Sequence, residues 1–144
     1  MKQKLRIKNT KNATETMKLG QQLVRTLRGG ETLALIGDLG SGKTTFVKGL
    51  ARGLGVKNKI TSPTFVLFKP YQAKHKTIKQ LIHADCYRVT GSEFLKVGLT
   101  DYLTDKQTVV VIEWADKLKK LPPHTITINF NHGKTSKERL IKIK

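Results

Sequence analysis

The stretch Thr32-Leu-Ala-Leu-Ile36-Gly37-Asp-Leu-Gly-Ser-Gly-Lys-Thr44 decides how the rest of the chain reads. Its first five residues form a short apolar run, the pattern of a strand buried on both faces, and the run passes directly into glycines. Residues 37–44 match G-x-x-x-x-G-K-[ST] in full, with an extra glycine at Gly40. Glycines let the backbone wrap closely with its N–H groups pointing inward. Thr44 to Leu54 follows as a predicted helix with Gly55 at its end, so the loop opens a helix whose N-terminus adds partial positive charge. Strand, loop and helix in that order make a cradle for phosphates, a P-loop. Lys43 is placed to reach the β- and γ-phosphates of a nucleotide, and the Thr44 hydroxyl to ligate Mg²⁺.

A Mg²⁺–nucleotide site also needs carboxylates, and the chain holds only ten acidic residues. Two of them follow apolar strands: Asp85 after Leu81-Ile-His-Ala84, and Glu113 after Val109-Val-Val-Ile112. Strand ends in an α/β sheet sit where ligands bind. Glu113 is expected to bind Mg²⁺ directly or through water, and Asp85 to orient the attacking water or a group behind the metal ligands. Asp38 lies inside the loop, where its charge opposes phosphate; its carboxylate is expected to face outward and bond neighbouring N–H groups.

Leu5 and Ile7 alternate with basic residues and predict a first strand; Asn12 with Glu15 predicts a helix start. Met17, Gly20, Val24 and Leu27 continue that helix on one face, up to Gly29-Gly30. Phe65–Phe68 and Leu81–Ala84 read as strands joined by a Lys-rich hairpin connection, and Glu93–Val97 as a short helix. After Pro122-Pro123, strands are predicted at Thr125–Phe130 and Glu138–Ile143 around a turn at Asn131-His-Gly-Lys134. The fold class is α/β, a P-loop NTPase-like sandwich with a mixed, mainly parallel central sheet and a C-terminal antiparallel strand pair. Residues 1–144 read as one domain, with no repeat or linker.

The formal net charge of +18 attracts phosphates and nucleic acid. Lysine greatly outnumbers arginine, whereas base reading favours arginine, so the charge supports anionic partners without naming one. Proximity to tRNA through this basic surface stays open. The longest apolar run, Val109–Ile112, is far short of a membrane span, and the N-terminus has no apolar signal core. Cys86, the single cysteine, has no internal disulfide partner; it is expected to be a small buried side chain in a cytoplasmic protein.

Five segments in order carry a further signal: residues 37–45, Ile60-Thr-Ser-Pro-Thr-Phe65, His83-Ala-Asp-Cys-Tyr-Arg88, Gly98-Leu-Thr-Asp-Tyr102 and Val111-Ile-Glu-Trp114. Together they resemble the TsaE (YjeE) family, the ATPase of bacterial tRNA threonylcarbamoyladenosine synthesis. The resemblance implies weak ATP hydrolysis, used on a TsaB–TsaD complex that modifies the adenosine 3′ to the anticodon. It implies catalytic roles for Lys43, Asp85 and Glu113, and Mg²⁺ ligation by Thr44 and Glu113. The nucleotide-binding set becomes Asp38, Leu39, Gly40, Ser41, Gly42, Lys43, Thr44 and Thr45. Ala13, with Asn12, is added beside the adenine and Lys134 (or Lys137) from the last hairpin; Ser62-Pro63-Thr64 resembles a switch near the γ-phosphate. The segment departs from the family's usual His-Phe-Asp-Leu-Tyr-Arg, since Ala84 and Cys86 flank Asp85.

Two other readings share these residues. A small-molecule or nucleotide kinase needs a lid bearing arginines, and only six arginines occur. A basic RNA-binding module with an incidental P-loop would bind RNA with steep salt dependence and without nucleotide. A GTPase is excluded, because Asn58-Lys59-Ile60-Thr61 lacks the aspartate of Asn-Lys-x-Asp. Trp114 is left between core packing and a partner-facing anchor, and His83 is expected to satisfy a local hydrogen bond.

Overall fold

The structure is a computed structural model that describes residues 5–63, 67–87 and 98–144. Its frame is a seven-stranded sheet made of β1 (Arg6–Thr10), β2 (Thr32–Ile36), β3 (Phe68–Gln72), β4 (Gln80–Asp85), β5 (Thr108–Glu113), β6 (Thr125–His132) and β7 (Arg139–Ile143). The order across the sheet is β1-β7-β6-β2-β5-β4-β3. The four middle strands, β6, β2, β5 and β4, run parallel, while β7, β1 and β3 are antiparallel to their neighbours. Continuous apolar runs fill the middle because strands there are covered on both faces; all six residues of β5 are buried. The mixed sheet and the terminal strand pair are as the sequence predicts.

Helices α1 (Ala13–Leu23) and α2 (Lys43–Gly53) cover one face. Their core-facing residues, Leu19, Leu23, Phe46, Val47 and Leu50 among them, join Leu33, Leu35, Val109, Val111 and Ile128 in the larger apolar cluster. On the other face a smaller cluster gathers Ala34, Ile82, Ala84, Cys86, Val110 and Ile112 under the one-turn helix α3 (Thr100–Leu103) and a 3₁₀ turn at Ala115–Lys117. Burial pushes the Cys86 thiol up to about 12, helped by the negative charge of Asp85 and Asp116, which makes it an inert packing group. No helix among the described residues is long and apolar enough to cross a membrane.

The first helix starts at Asn12, whose side chain accepts from the Glu15 N–H at 2.9 Å while the Glu15 carboxylate accepts from the Lys11 N–H. It ends earlier than its apolar spacing suggests. Thr26 Oγ1 donates to the Leu23 carbonyl, competing with the helix ladder, and residues 24–26 tighten into a 3₁₀ turn. Glycine lets α1 and α2 touch backbone to backbone: a Cβ on Gly49 would stand 1.8 Å from the Met17 carbonyl oxygen, and one on Gly20 2.3 Å from that of Phe46.

Two strand positions differ from the sequence reading. The hairpin forms, but its first strand lies at Phe68–Gln72 rather than Phe65–Phe68. Pro70 argues against a strand there; the edge position resolves this, since an edge strand spares one row of N–H groups from pairing. Phe65 and Val66 lie outside the described residues, as do Thr64 and the helix expected at Glu93–Val97. At the other end, β6 runs on through Asn131 and His132, which pair with Leu140 and Arg139, so the turn shifts to residues 133–138.

Candidate active site

Because β2, β4 and β5 are parallel neighbours, their carboxyl ends emerge along one edge of the sheet, and three functional segments leave from that edge. β2 feeds the loop of residues 37–42, β4 ends on Asp85, and β5 ends on Glu113, with Asp85 and Glu113 opposite each other in register. They border a cleft of about 670 Å³. Leu39 through Thr45, Asn12, Ala13, Ser62, Pro63, Asp85 and Glu113 all line it. Asp38 does not: it is exposed, as expected, yet the bonds it makes in the loop go through its main-chain carbonyl rather than its carboxylate. Lys134 is exposed and outside the lining, whereas Lys137 and Arg139 from the same hairpin belong to it.

Gly42 is the N-cap of α2 at φ 102°, a left-handed conformation that only glycine adopts without strain. That turn directs Lys43 back into the loop. Its ammonium donates to the Gly37 carbonyl at 2.5 Å and the Asp38 carbonyl at 3.0 Å, and lies 4.0 Å from the centre of the Trp114 ring. Burial lowers its pKa; Glu113 and Asp85 oppose that shift. Trp114 itself has φ 59°, a strained conformation for an aromatic residue, and the turn it makes after β5 delivers its ring to the lysine. Trp114 is thus half-buried, shared between the cleft and the Tyr87 ring 4.9 Å away.

The Thr44 hydroxyl donates to Glu113 Oε1 at 3.0 Å. The other carboxylate oxygen, Oε2, meets His83 Nε2 at 2.5 Å in the buried interior of the sheet. His83 Nδ1 has no partner and is buried, so the tautomer with its proton on Nε2 avoids an orphaned donor. Two ligands on adjacent corners of a Mg²⁺ octahedron with bonds of about 2.05 Å stand about 2.9 Å apart. The Thr44–Glu113 separation fits that spacing, and hydroxyl and carboxylate are the hard oxygen donors that Mg²⁺ takes. No group of three or more His, Cys, Asp or Glu side chains placed to hold a metal ion occurs among the described residues. Asp85 accepts from the Tyr87 N–H at 2.8 Å. Burial first, and the Glu113 charge second, raise its pKa; the Tyr87 N–H works against that.

Arg139 is the residue that sequence reasoning missed. Its Nε donates to the Ser41 carbonyl at 3.1 Å and its Nη2 to the Gly40 carbonyl at 2.9 Å, while Nη1 donates to Ser136 and Glu138. The start of β7 is thereby strapped across the P-loop. A signal existed: Arg139 is the only arginine after Arg88 in a lysine-dominated chain, and only a guanidinium can fork to four carbonyls.

A buried parallel strand leading into a glycine-rich loop and helix, with an acid at the tip of the adjacent strand beside the loop threonine, defines the P-loop nucleotide-binding class. The family described as "Threonylcarbamoyl adenosine biosynthesis protein TsaE" matches residues 10–141. The chain belongs to the TsaE family, which acts in tRNA threonylcarbamoyladenosine biosynthesis. It is 38% identical over 122 residues to the TsaE of Treponema pallidum, covering 83% of this chain and 87% of that protein. It is likewise 38% identical over 114 residues to that of Bacillus subtilis, covering 79% and 69%. The crystal structure of Bacillus subtilis YdiB superposes with a TM-score of 0.74 at 29% identity, over 97% of this chain and 84% of that one.

Proposed function

We propose that residues 1–144 form one ATPase domain that hydrolyses Mg²⁺-ATP in this cleft, in the cytoplasm, in support of a TsaB–TsaD complex. The observation that carries the reading is the Thr44–Glu113 contact at 3.0 Å beside a fully formed P-loop. Thr44 and Glu113 would hold Mg²⁺, whose charge neutralises the phosphates when bound. Lys43 and the N–H groups of the loop bind the β- and γ-phosphates, and Asn12 and Ala13, which line the cleft at the start of α1, take the adenine side. Asp85 accepts a hydrogen bond from the attacking water and holds it in line with the γ-phosphorus. A carboxylate with a raised pKa suits proton acceptance near neutral pH. Ser62 and Pro63 line the cleft where the γ-phosphate would be sensed.

A kinase reading gains nothing from the described residues: Arg139 is the only arginine lining the cleft, and its donors are occupied by carbonyls. The test is phosphate release with Mg²⁺, with and without purified TsaB–TsaD. Slow release alone, stimulation by the pair and loss of both in Glu113→Gln are expected. Release indifferent to the pair would remove the partner claim, and phosphoryl transfer to a small metabolite would favour a kinase.

A further inference from the structure

The mechanism uses none of the surface cations, which cover the fold, but the carboxylates that could offset them are unevenly placed. The outward side of α1 and the turn after it carries Lys18 and Arg25; that of α2 carries Lys48 and Arg52, and Lys57 and Lys59 follow directly. All six are exposed. The only carboxylate on either helix is Glu15, in the first turn of α1, where it is folded back onto the Lys11 N–H. Asp101, Asp105 and Asp116 lie instead with α3, the start of β5 and the 3₁₀ turn. Among the described residues the one ion pair is the buried His83–Glu113 contact, so no carboxylate neutralises any of the six.

The helix packing merges these charges into one face. Gly20 and Gly49 bring the two backbones into contact, with Met17 against Gly49 and Gln21 against Gly53. The helices therefore run side by side in the same sense, with Lys18 and Arg25 on the outward side of one and Lys48 and Arg52 on that of the other. From Lys18 to Arg25 is about 10 Å along the helix axis.

We propose that this α1–α2 face binds the sugar-phosphate backbone of RNA, as a site separate from the nucleotide cleft. Four exposed cations on two packed helices, with no ion-pair partner among the described residues, gain from releasing the counterions condensed on a polyphosphate. Lysine as well as arginine serves here, since backbone contacts need charge rather than base reading. The face lacks what a membrane surface would require. Among the described residues the exposed large apolar side chains are Leu5, Ile7, Leu39 and Tyr87, none of them on α1 or α2, whose apolar sides are spent on the core.

The test is fluorescence polarisation of a labelled tRNA transcript with the full chain, without nucleotide, from about 50 to 200 mM salt. The parent is expected to bind, with affinity falling steeply as salt rises. The variant Lys18→Gln, Arg25→Gln, Lys48→Gln, Arg52→Gln is expected to bind at least about tenfold more weakly, with the salt slope reduced by about 3. A control with the same charge change on other surfaces, Lys106→Gln, Lys119→Gln, Lys120→Gln, Lys142→Gln, stays within about twofold of the parent, and so does Lys43→Ala. That last comparison separates this site from the ATPase reading. Thermal unfolding and far-UV circular dichroism confirm that each variant is folded; should the fourfold variant not fold, the Lys48→Gln, Arg52→Gln pair is read for half the change in slope. Equal losses in face and control variants, no binding by the parent, or equally tight binding to polyglutamate or phosphatidylserine vesicles would each overturn the proposal.

Discussion

The Thr44 hydroxyl and the Glu113 carboxylate meet at 3.0 Å although they are 69 positions apart in the chain. The sheet makes the contact: β2 and β5 are adjacent and parallel, with Leu35 opposite Glu113, so loop and acid leave from the same edge. Glu113→Gln keeps the size but replaces an oxygen donor and a charge. The variant is expected to weaken Mg²⁺-dependent ATP binding at least tenfold, roughly the scale seen for groups around metal sites, with little effect on Mg²⁺-free binding. Calorimetric titration of ATP with and without Mg²⁺ checks this.

His83 supports that carboxylate from behind. Its ring is fully buried, and its one polar contact is the Glu113 oxygen. His83→Ala leaves Oε2 unpaired and opens a cavity, so a loss of about 3 kcal/mol is expected in urea denaturation. His83→Gln, which keeps a donor on a similar reach, is expected to lose less than half of that.

Arg139→Ala removes the two donations that fasten the hairpin to the P-loop, and two more to the Ser136 and Glu138 carbonyls within the hairpin. We expect a lower unfolding midpoint and an ATP affinity reduced by about tenfold, corresponding to about 1.4 kcal/mol. Arg139→Lys should recover little of either, because a point charge cannot fork to Gly40 and Ser41 while also holding Ser136 and Glu138. Differential scanning fluorimetry with and without ATP reads both effects.

Asp85 carries a cost of function in the folded state. Its folded pKa is raised, so the ionised form is disfavoured by folding; the penalty is fully present above the folded pKa and disappears below the ordinary value of 3.8. Asp85→Asn, which still accepts from the Tyr87 N–H, is therefore expected to unfold at a higher temperature than the parent near pH 7. The difference should shrink as pH falls through the folded pKa. The same variant is expected to lose hydrolysis while retaining ATP binding. Unfolding midpoints from about pH 7 downward, set beside phosphate release, measure both.

Much of this was legible in the chain because local chemistry and tertiary role coincide. The Thr32–Thr44 stretch reads as strand and loop in any context, and Asn12 with Glu15 marks a helix start by its own bonds. Glu113 announces itself by ending the most apolar run. Where positions depended on sheet context, reading failed: Pro70 is acceptable only on an edge, and Asn131 and His132 are strand only because β7 stands opposite. Arg139 was hidden for the same reason, since its partners lie 98 and 99 positions away and are main-chain carbonyls with no side-chain signature. Trp114 was visible as a residue, but its seat over Lys43 depends on a strained turn that spacing does not encode.

The most direct measurement is phosphate release from γ-labelled ATP with Mg²⁺ by the parent and by Lys43→Ala, under single-turnover conditions. The Gly37 and Asp38 carbonyls draw the Lys43 ammonium into the loop, where it is placed to meet the phosphates. The parent should release phosphate slowly and Lys43→Ala at least about a hundredfold more slowly, a loss of about 2.7 kcal/mol of transition-state stabilisation. Release by Lys43→Ala at the parent's rate would contradict the assignment of this cleft as the site of hydrolysis.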